Sequence, residues 1–257
     1  MNVGPERPAA LEVRVGFVVV CAVAFLVGIS ATIHFCRSMC CEMQMPGGWS
    51  MSMMWMRMHG QTWSGAASGF LFMWLAMMVA MMMPSALPTF LRTRRQSAFL
   101  CSMAAGYFAI WLAAGPGIYA LGVAFAKLAM RSESFSRAVP VLSAALLFAA
   151  GATQFTRWKM RHLLRCRSFF GCATSCLRRE TGFAFGCKQG TACCLCCVAP
   201  MTVQLVLGIM NPLAMFIVAS VIAAEKLLPR PAIVARAVGG CAIVAAVLRY
   251  CSSAVGS

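Results

Sequence analysis

Residues 73–88 read MWLAMMVAMMMPSALP, with methionine at positions 73, 77, 78, 81, 82 and 83 and no charged side chain. They close a longer apolar run, 66–88. A helix needs about 20 apolar residues to cross a hydrocarbon core about 30 Å thick, so the run reads as a membrane span. Such a helix gains nothing from thioethers that leucine would not supply, so the methionines call for a second explanation. Further apolar runs lie at 15–35, 98–126, 138–156, 183–209, 211–225 and 232–250.

Of the 257 residues, 61% are hydrophobic and 11% charged, which is too apolar for a soluble domain of this size. The expected fold is all-α, a polytopic integral membrane helix bundle of about seven transmembrane helices. It forms one domain, 1–257, with an outer Met- and Cys-rich loop near 36–65 and a basic inner loop near 157–181. Gly115-Pro116-Gly117 leaves open whether the third span is one helix or two half-helices. The first run is too long, and its end too weakly marked by small residues, for a cleaved signal peptide.

The net charge of +16 would suggest nucleic acid in a soluble protein, but the placement of the charges points to a membrane. With the N-terminus inside, the inner segments hold 15 of the 22 Lys and Arg, among them Arg157, Lys159, Arg161, Arg165 and Arg167. Outer segments hold six, and Lys188 lies within the fifth run. This asymmetry orients the chain N-in, C-out in a bacterial inner membrane. The inner loop is then expected against anionic headgroups, with the lipid bilayer and not nucleic acid as partner.

Fifteen Cys and 21 Met carry the chemistry. Most of the cysteines lie in spans or on the inner side, where thiols stay reduced. Three groups stand out. The outer loop from 34 to 59 holds His34, Cys36, Cys40, Cys41, Met43, Met45 and His59 among eight Met, three Cys and two Trp. Thioether, thiolate and imidazole together favour Cu(I), with Zn(II) the weaker competitor. Thioethers in a water-exposed loop are not expected to be core filler, although an interfacial turn dipping Met and Trp into headgroups fits the same residues. In the second run, Met73, Met77 and Met81 recur every four residues beside a parallel row of Met78 and Met82, ending at Pro84. This is either a thioether ladder or gap-filling packing. In the fifth run, Cys193, Cys196, Cys197 and Met201 share one helix face. That spacing suits a single soft ion, and small side chains also allow close helix packing. At about 1.5 Å per residue, Met77–Met81 and Cys193–Cys197 lie at comparable depths, so the two sets would converge if their helices were neighbours.

Several ordered motifs between Trp74 and Gly239 resemble the bacterial family of predicted metal-binding integral membrane proteins, a domain of unknown function. They are Trp74, Met77, Ala80-Met81-Met82 and Pro84; Gly106-Tyr107 and Trp111; and Gln154, Thr156, Lys159 and Cys166. Cys193, Cys196, Cys197 and Met201, then Gly208, Met210-Asn211 and Glu225-Lys226, complete the series. Leu195, Val198 and Pro200 depart from the family's Gly, Trp and Leu, and Cys194 is additional. The resemblance implies metal binding and no particular reaction.

The expected function is binding of a soft metal, copper as Cu(I) before zinc, in acquisition, transfer or export. The ligands would be Cys193, Cys196, Cys197, Met201, Met77, Met81 and Met82, and the outer-loop residues would form a secondary site. Gln154, Lys159, Lys188 and Glu225 would give polar support; Lys188 would stabilise a thiolate, and Glu225 would pair with Lys226 or relay a proton. A periplasmic metallochaperone or metalloenzyme would be the partner. Two other classes stay open: a membrane thiol redox protein using Cys193 and Cys196, and a non-catalytic assembly subunit whose cysteines only pack. No phosphate loop or nucleophile elbow suggests a dehydrogenase or hydrolase.

Overall fold

The computed structural model describes residues 8–38, 42–57, 60–93, 96–169 and 181–255. The chain runs α1 (Pro8–Ser38), β1 (Glu42–Met45), β2 (Trp49–Ser52), a single 3-10 turn (Met53–Trp55), α2 (Trp63–Arg92), α3 (Ser97–Arg131) and α4 (Glu133–Thr153). It continues through α5 (Arg157–Ser168), α6 (Gly182–Leu207), α7 (Pro212–Leu227) and α8 (Pro231–Val255). Six of these helices, α1, α2, α3, α4, α6 and α8, are long and apolar enough to cross a membrane. The run expected at 211–225 is α7, 16 residues long. At 1.5 Å per residue that is about 24 Å, shorter than an ordinary crossing.

Helix α3 passes unbroken through Gly115-Pro116-Gly117. Its partner α2 supplies the support: a Cβ on Gly115 would lie 2.7 Å from Leu71 and 3.0 Å from Trp74. The Trp74 indole N–H donates to the Trp111 carbonyl at 2.8 Å, one residue before Leu112, whose carbonyl Pro116 leaves without its helical donor. Helix α2 likewise continues through Pro84 and Pro88 to Arg92, four residues beyond the expected end.

Helices α3 and α6 pack at close range. Gly182, Gly186 and Gly190 meet the carbonyls of Phe99, Met103 and Tyr107 in turn, leaving no room for side chains; a Cβ on Gly190 would stand 2.8 Å from the Tyr107 carbonyl. Residue numbers rise together along both helices, so α3 and α6 run parallel. This is a small-residue interface of the kind that draws membrane helices together. Gly208, with φ of 105°, ends α6. Asn211 then caps α7 by accepting from the amides of Leu213 and Ala214, with Pro212 at the first helical position. The tight turn sends α7 back along α6.

The described part of the outer loop is a β-hairpin. β1 and β2 pair antiparallel, Met45 opposite Trp49, around a turn in which Gly47 and Gly48 both take positive φ. The Trp49 indole donates to the Ser136 carbonyl and the Ser136 hydroxyl to the Pro46 carbonyl, fixing the hairpin on the start of α4. Met45 and Met51 are buried against Ala126 and Ala129 in a small core of their own, with Met43, Trp49 and Met56 packed on it. Met45 and Met51 are therefore core filler, because the hairpin folds down onto α3 and buries them. Cys40, Cys41 and His59 lie outside the described residues, as do Met39, Met58 and the loop basic residues Arg178 and Arg179.

Candidate metal centre

Helical spacing turns Cys193, Cys196 and Cys197 to one side of α6, and all three are buried. The Cys193 and Cys197 sulfurs are 3.9 Å apart and those of Cys196 and Cys197 3.6 Å. The Cys196 thiol also donates to the Cys193 carbonyl at 3.2 Å. Cys194, on the neighbouring face, is only partly buried. Among the described residues, no three His, Cys, Asp or Glu side chains form a ready-made metal cage.

Charged and polar groups surround these thiols. From α7, the Lys226 ammonium donates to Cys193 Sγ at 2.9 Å and to Ser85 Oγ of α2 at 3.2 Å. From α3, Tyr107 Oη lies 2.9 Å from Cys193 Sγ. The antiparallel α6–α7 pair accounts for the first contact, since Cys193 and Lys226 are equally distant along the chain from Gly208 and Asn211. From α5, Cys166 reaches Cys193 and Cys196. Its hydrogen bond with Cys193 is the largest influence on this thiol, whose pKa is pushed up to about 12; Cys166 therefore stays protonated at neutral pH.

A second buried set braces the first. The Lys159 ammonium pairs with Glu225 Oε2 at 2.7 Å and donates to the Cys196 carbonyl at 2.6 Å. The Gln154 side chain donates to Glu225 Oε1 at 3.1 Å. Arg167 closes the end of α7 by donating to the carbonyls of Glu225, Lys226 and Leu228, satisfying acceptors that a helix end leaves over. A cavity of about 10 Å³ opens between Ser85, Ala86 and Thr89 of α2, Tyr107, Cys166, Gln189, Cys193 and Lys226.

Several expectations change against this geometry. Glu225 and Lys226 do not pair with each other, because adjacent helical residues point about 100° apart; Glu225 takes Lys159 and Lys226 takes Cys193. Lys159 is not a headgroup-facing residue. With Leu163 and Cys166 it forms the buried face of α5, while Arg157, Arg161 and Arg165 stay exposed. Lys188 sits at an exposed position of α6, and the ammonium at the thiols belongs to Lys226. Gln154 ends α4 and its side chain donates to Glu225.

Met77, Met81 and Met82 are buried at 1%, 3% and 0% exposure in the same core as the thiols, but the cavity beside Cys193 is lined by Ser85, Ala86 and Thr89. The depth match shifts because α2 runs four residues past its expected end at Pro88; Met81 lies one turn, about 6 Å, before Ser85 along the helix. Helix α2 meets α6 through α3 and α7, with which it packs directly. Met201 is half-buried against the core. His34 is exposed, and Cys36 Sγ lies 3.9 Å from Met210 Sδ. Sequence reasoning missed Ser85 and Thr89 as site residues and took Tyr107 only as part of a motif. The Gly182, Gly186, Gly190 spacing was the available signal that α3 would bring a partner to Cys193.

The family model PpoB2, described as a copper chaperone, matches residues 71–249. No curated protein and no solved structure matches the chain.

Proposed function

This chain belongs to the PpoB2 copper chaperone family, and from that premise we propose that it handles Cu(I) within a bacterial inner membrane. Copper is its cargo, accepted at the buried thiols and passed on to a periplasmic metallochaperone or metalloenzyme. The chain would lie N-in, C-out, with α7 as a short seventh crossing; the antiparallel return of α7 supports that crossing, and the excess of Lys and Arg in the inner segments supports the orientation.

One observation carries the reading: thiols of a single helix face stand 3.6 and 3.9 Å apart beneath an ammonium. Two sulfurs each about 2.3 Å from a shared ion at a tetrahedral angle stand about 3.8 Å apart, so both pairs already have the required separation. A lysine ammonium favours the thiolate form that a soft metal needs. Rotation of Cys196 away from the Cys193 carbonyl would bring in a third sulfur. Met77, Met81, Met82 and Met201 would form a thioether lining through which the ion exchanges, since thioethers select Cu(I) over zinc. Outside, Met43, Cys36, Cys40, Cys41, His34 and His59 would collect the ion, while Met45 holds the hairpin.

Titration of the purified protein with Cu(I) in competition with a chromogenic chelator tests the proposal. It predicts one tightly held ion per chain in the native protein and none in Cys193→Ser or Cys197→Ser. A native protein that leaves the chelator loaded, or binding untouched by both substitutions, would overturn it. A Cys193–Cys196 disulfide that forms and reopens without metal would instead establish the thiol redox reading.

A further inference from the structure

Gln189 is 4% exposed and lines the cavity beside Cys193, yet its Oε1 has no hydrogen-bond partner among the described residues. A buried amide oxygen left unpaired is costly. Of the other polar groups on the cavity wall, Ser85 Oγ donates to the Met82 carbonyl and Tyr107 Oη is held at Cys193. Lys226 differs. Its ammonium ends a flexible four-carbon stem, carries three protons and lines the same cavity. The cavity, at about 10 Å³, has room for one water-sized body.

We propose that Lys226 is a placeholder for the cargo cation and that Gln189 is its alternative seat. In the empty protein the ammonium occupies the cation position against Cys193 Sγ and Ser85 Oγ. When a cation settles on Cys193 Sγ at the position the ammonium now holds, it displaces the ammonium, which swings across the cavity to donate to Gln189 Oε1. No bond within the lysine changes and no proton need leave it. The Lys159–Glu225 pair stays in place throughout, holding the Cys196 carbonyl and so the helix face on which the exchange occurs. Gln189 and Lys226 are therefore positioning residues: they set how readily the thiols accept a cation without holding it themselves.

The inference rests on the copper reading above, and its test separates the two. Cu(I) alone is titrated against a chromogenic chelator for the native protein, Gln189→Leu, Lys226→Met and the double variant. Removing the alternative seat should weaken Cu(I) binding about tenfold when Lys226 is present and less than twofold when residue 226 is methionine. Gln189→Glu, which keeps an acceptor, should recover binding. If the native protein binds Cu(I) but Gln189→Leu has equal effects in both backgrounds, the placeholder is wrong and the copper site stands. If Gln189→Glu binds as poorly as Gln189→Leu, the placeholder is also wrong, since an acceptor at this position would be irrelevant. If the native protein takes up no Cu(I), both fall.

Discussion

Replacing Glu225 by alanine should be among the most damaging single changes in this protein. Its carboxylate accepts from Lys159 at 2.7 Å and from Gln154 at 3.1 Å, and the side chains of the ion pair are 1% and 2% exposed. Truncation leaves the Lys159 ammonium buried with, among the described residues, only the Cys196 carbonyl as partner. Breaking one side of a buried pair typically costs about 3–5 kcal/mol, because the surviving charge is uncompensated. At about 2–4 °C per kcal/mol for a chain of this size, the expected loss is about 10 °C in thermal unfolding in detergent. Lys159→Met should cost a similar amount. The double variant Lys159→Met with Glu225→Met should be better than either single change, since it removes both charges at once. Additive losses across this cycle, or single changes worth less than about 1 kcal/mol, would show that the pair is solvated and does not brace α6.

Gly186→Leu should separate α3 from α6, because even a Cβ at 186 would enter the Met103 carbonyl; a loss of about 1–3 kcal/mol and of Cu(I) binding would appear together in thermal and chelator-competition measurements. Cys194→Ser, at a half-buried position outside the thiol face, should leave Cu(I) stoichiometry unchanged where Cys193→Ser abolishes it. Met51→Ala removes a side chain 2% exposed in the hairpin core and should lower stability by about 2–5 kcal/mol, with the copper stoichiometry of the thiol site retained. Arg167→Ala uncovers three carbonyls at the end of α7; an increase in amide exchange confined to residues 225–228 and their neighbours would report the loss of this cap.

Much of the bundle is legible in the chain because apolar runs of bilayer length have few alternatives. The helix face of Cys193, Cys196 and Cys197 is legible for an equally simple reason, the 3.6-residue period. What surrounds that face is not. Helix ends decide depth, and α2 runs past Pro84 and Pro88 because neighbouring helices support a turn that proline loosens. Lys159 and Lys226 look like surface charges in a basic inner region; only the approach of α5 and α7 to α6 gives them buried partners. The outer methionines read as water-exposed because nothing local announces that the Pro46-Gly47-Gly48 turn folds Met45 and Met51 onto Ala126 and Ala129. The paired turn glycines are a hairpin signal, and the Gly182, Gly186, Gly190 series a packing signal. Both were present in the sequence beside more conspicuous sulfur.

Elemental analysis combined with copper X-ray absorption on the purified, metal-loaded protein tests the central claim most directly. The account predicts about one Cu(I) per chain in an all-sulfur shell near 2.3 Å, lost when Cys196 and Cys197 are both replaced by serine. A chain without copper, or copper held by nitrogen and oxygen with those two cysteines dispensable, would contradict it.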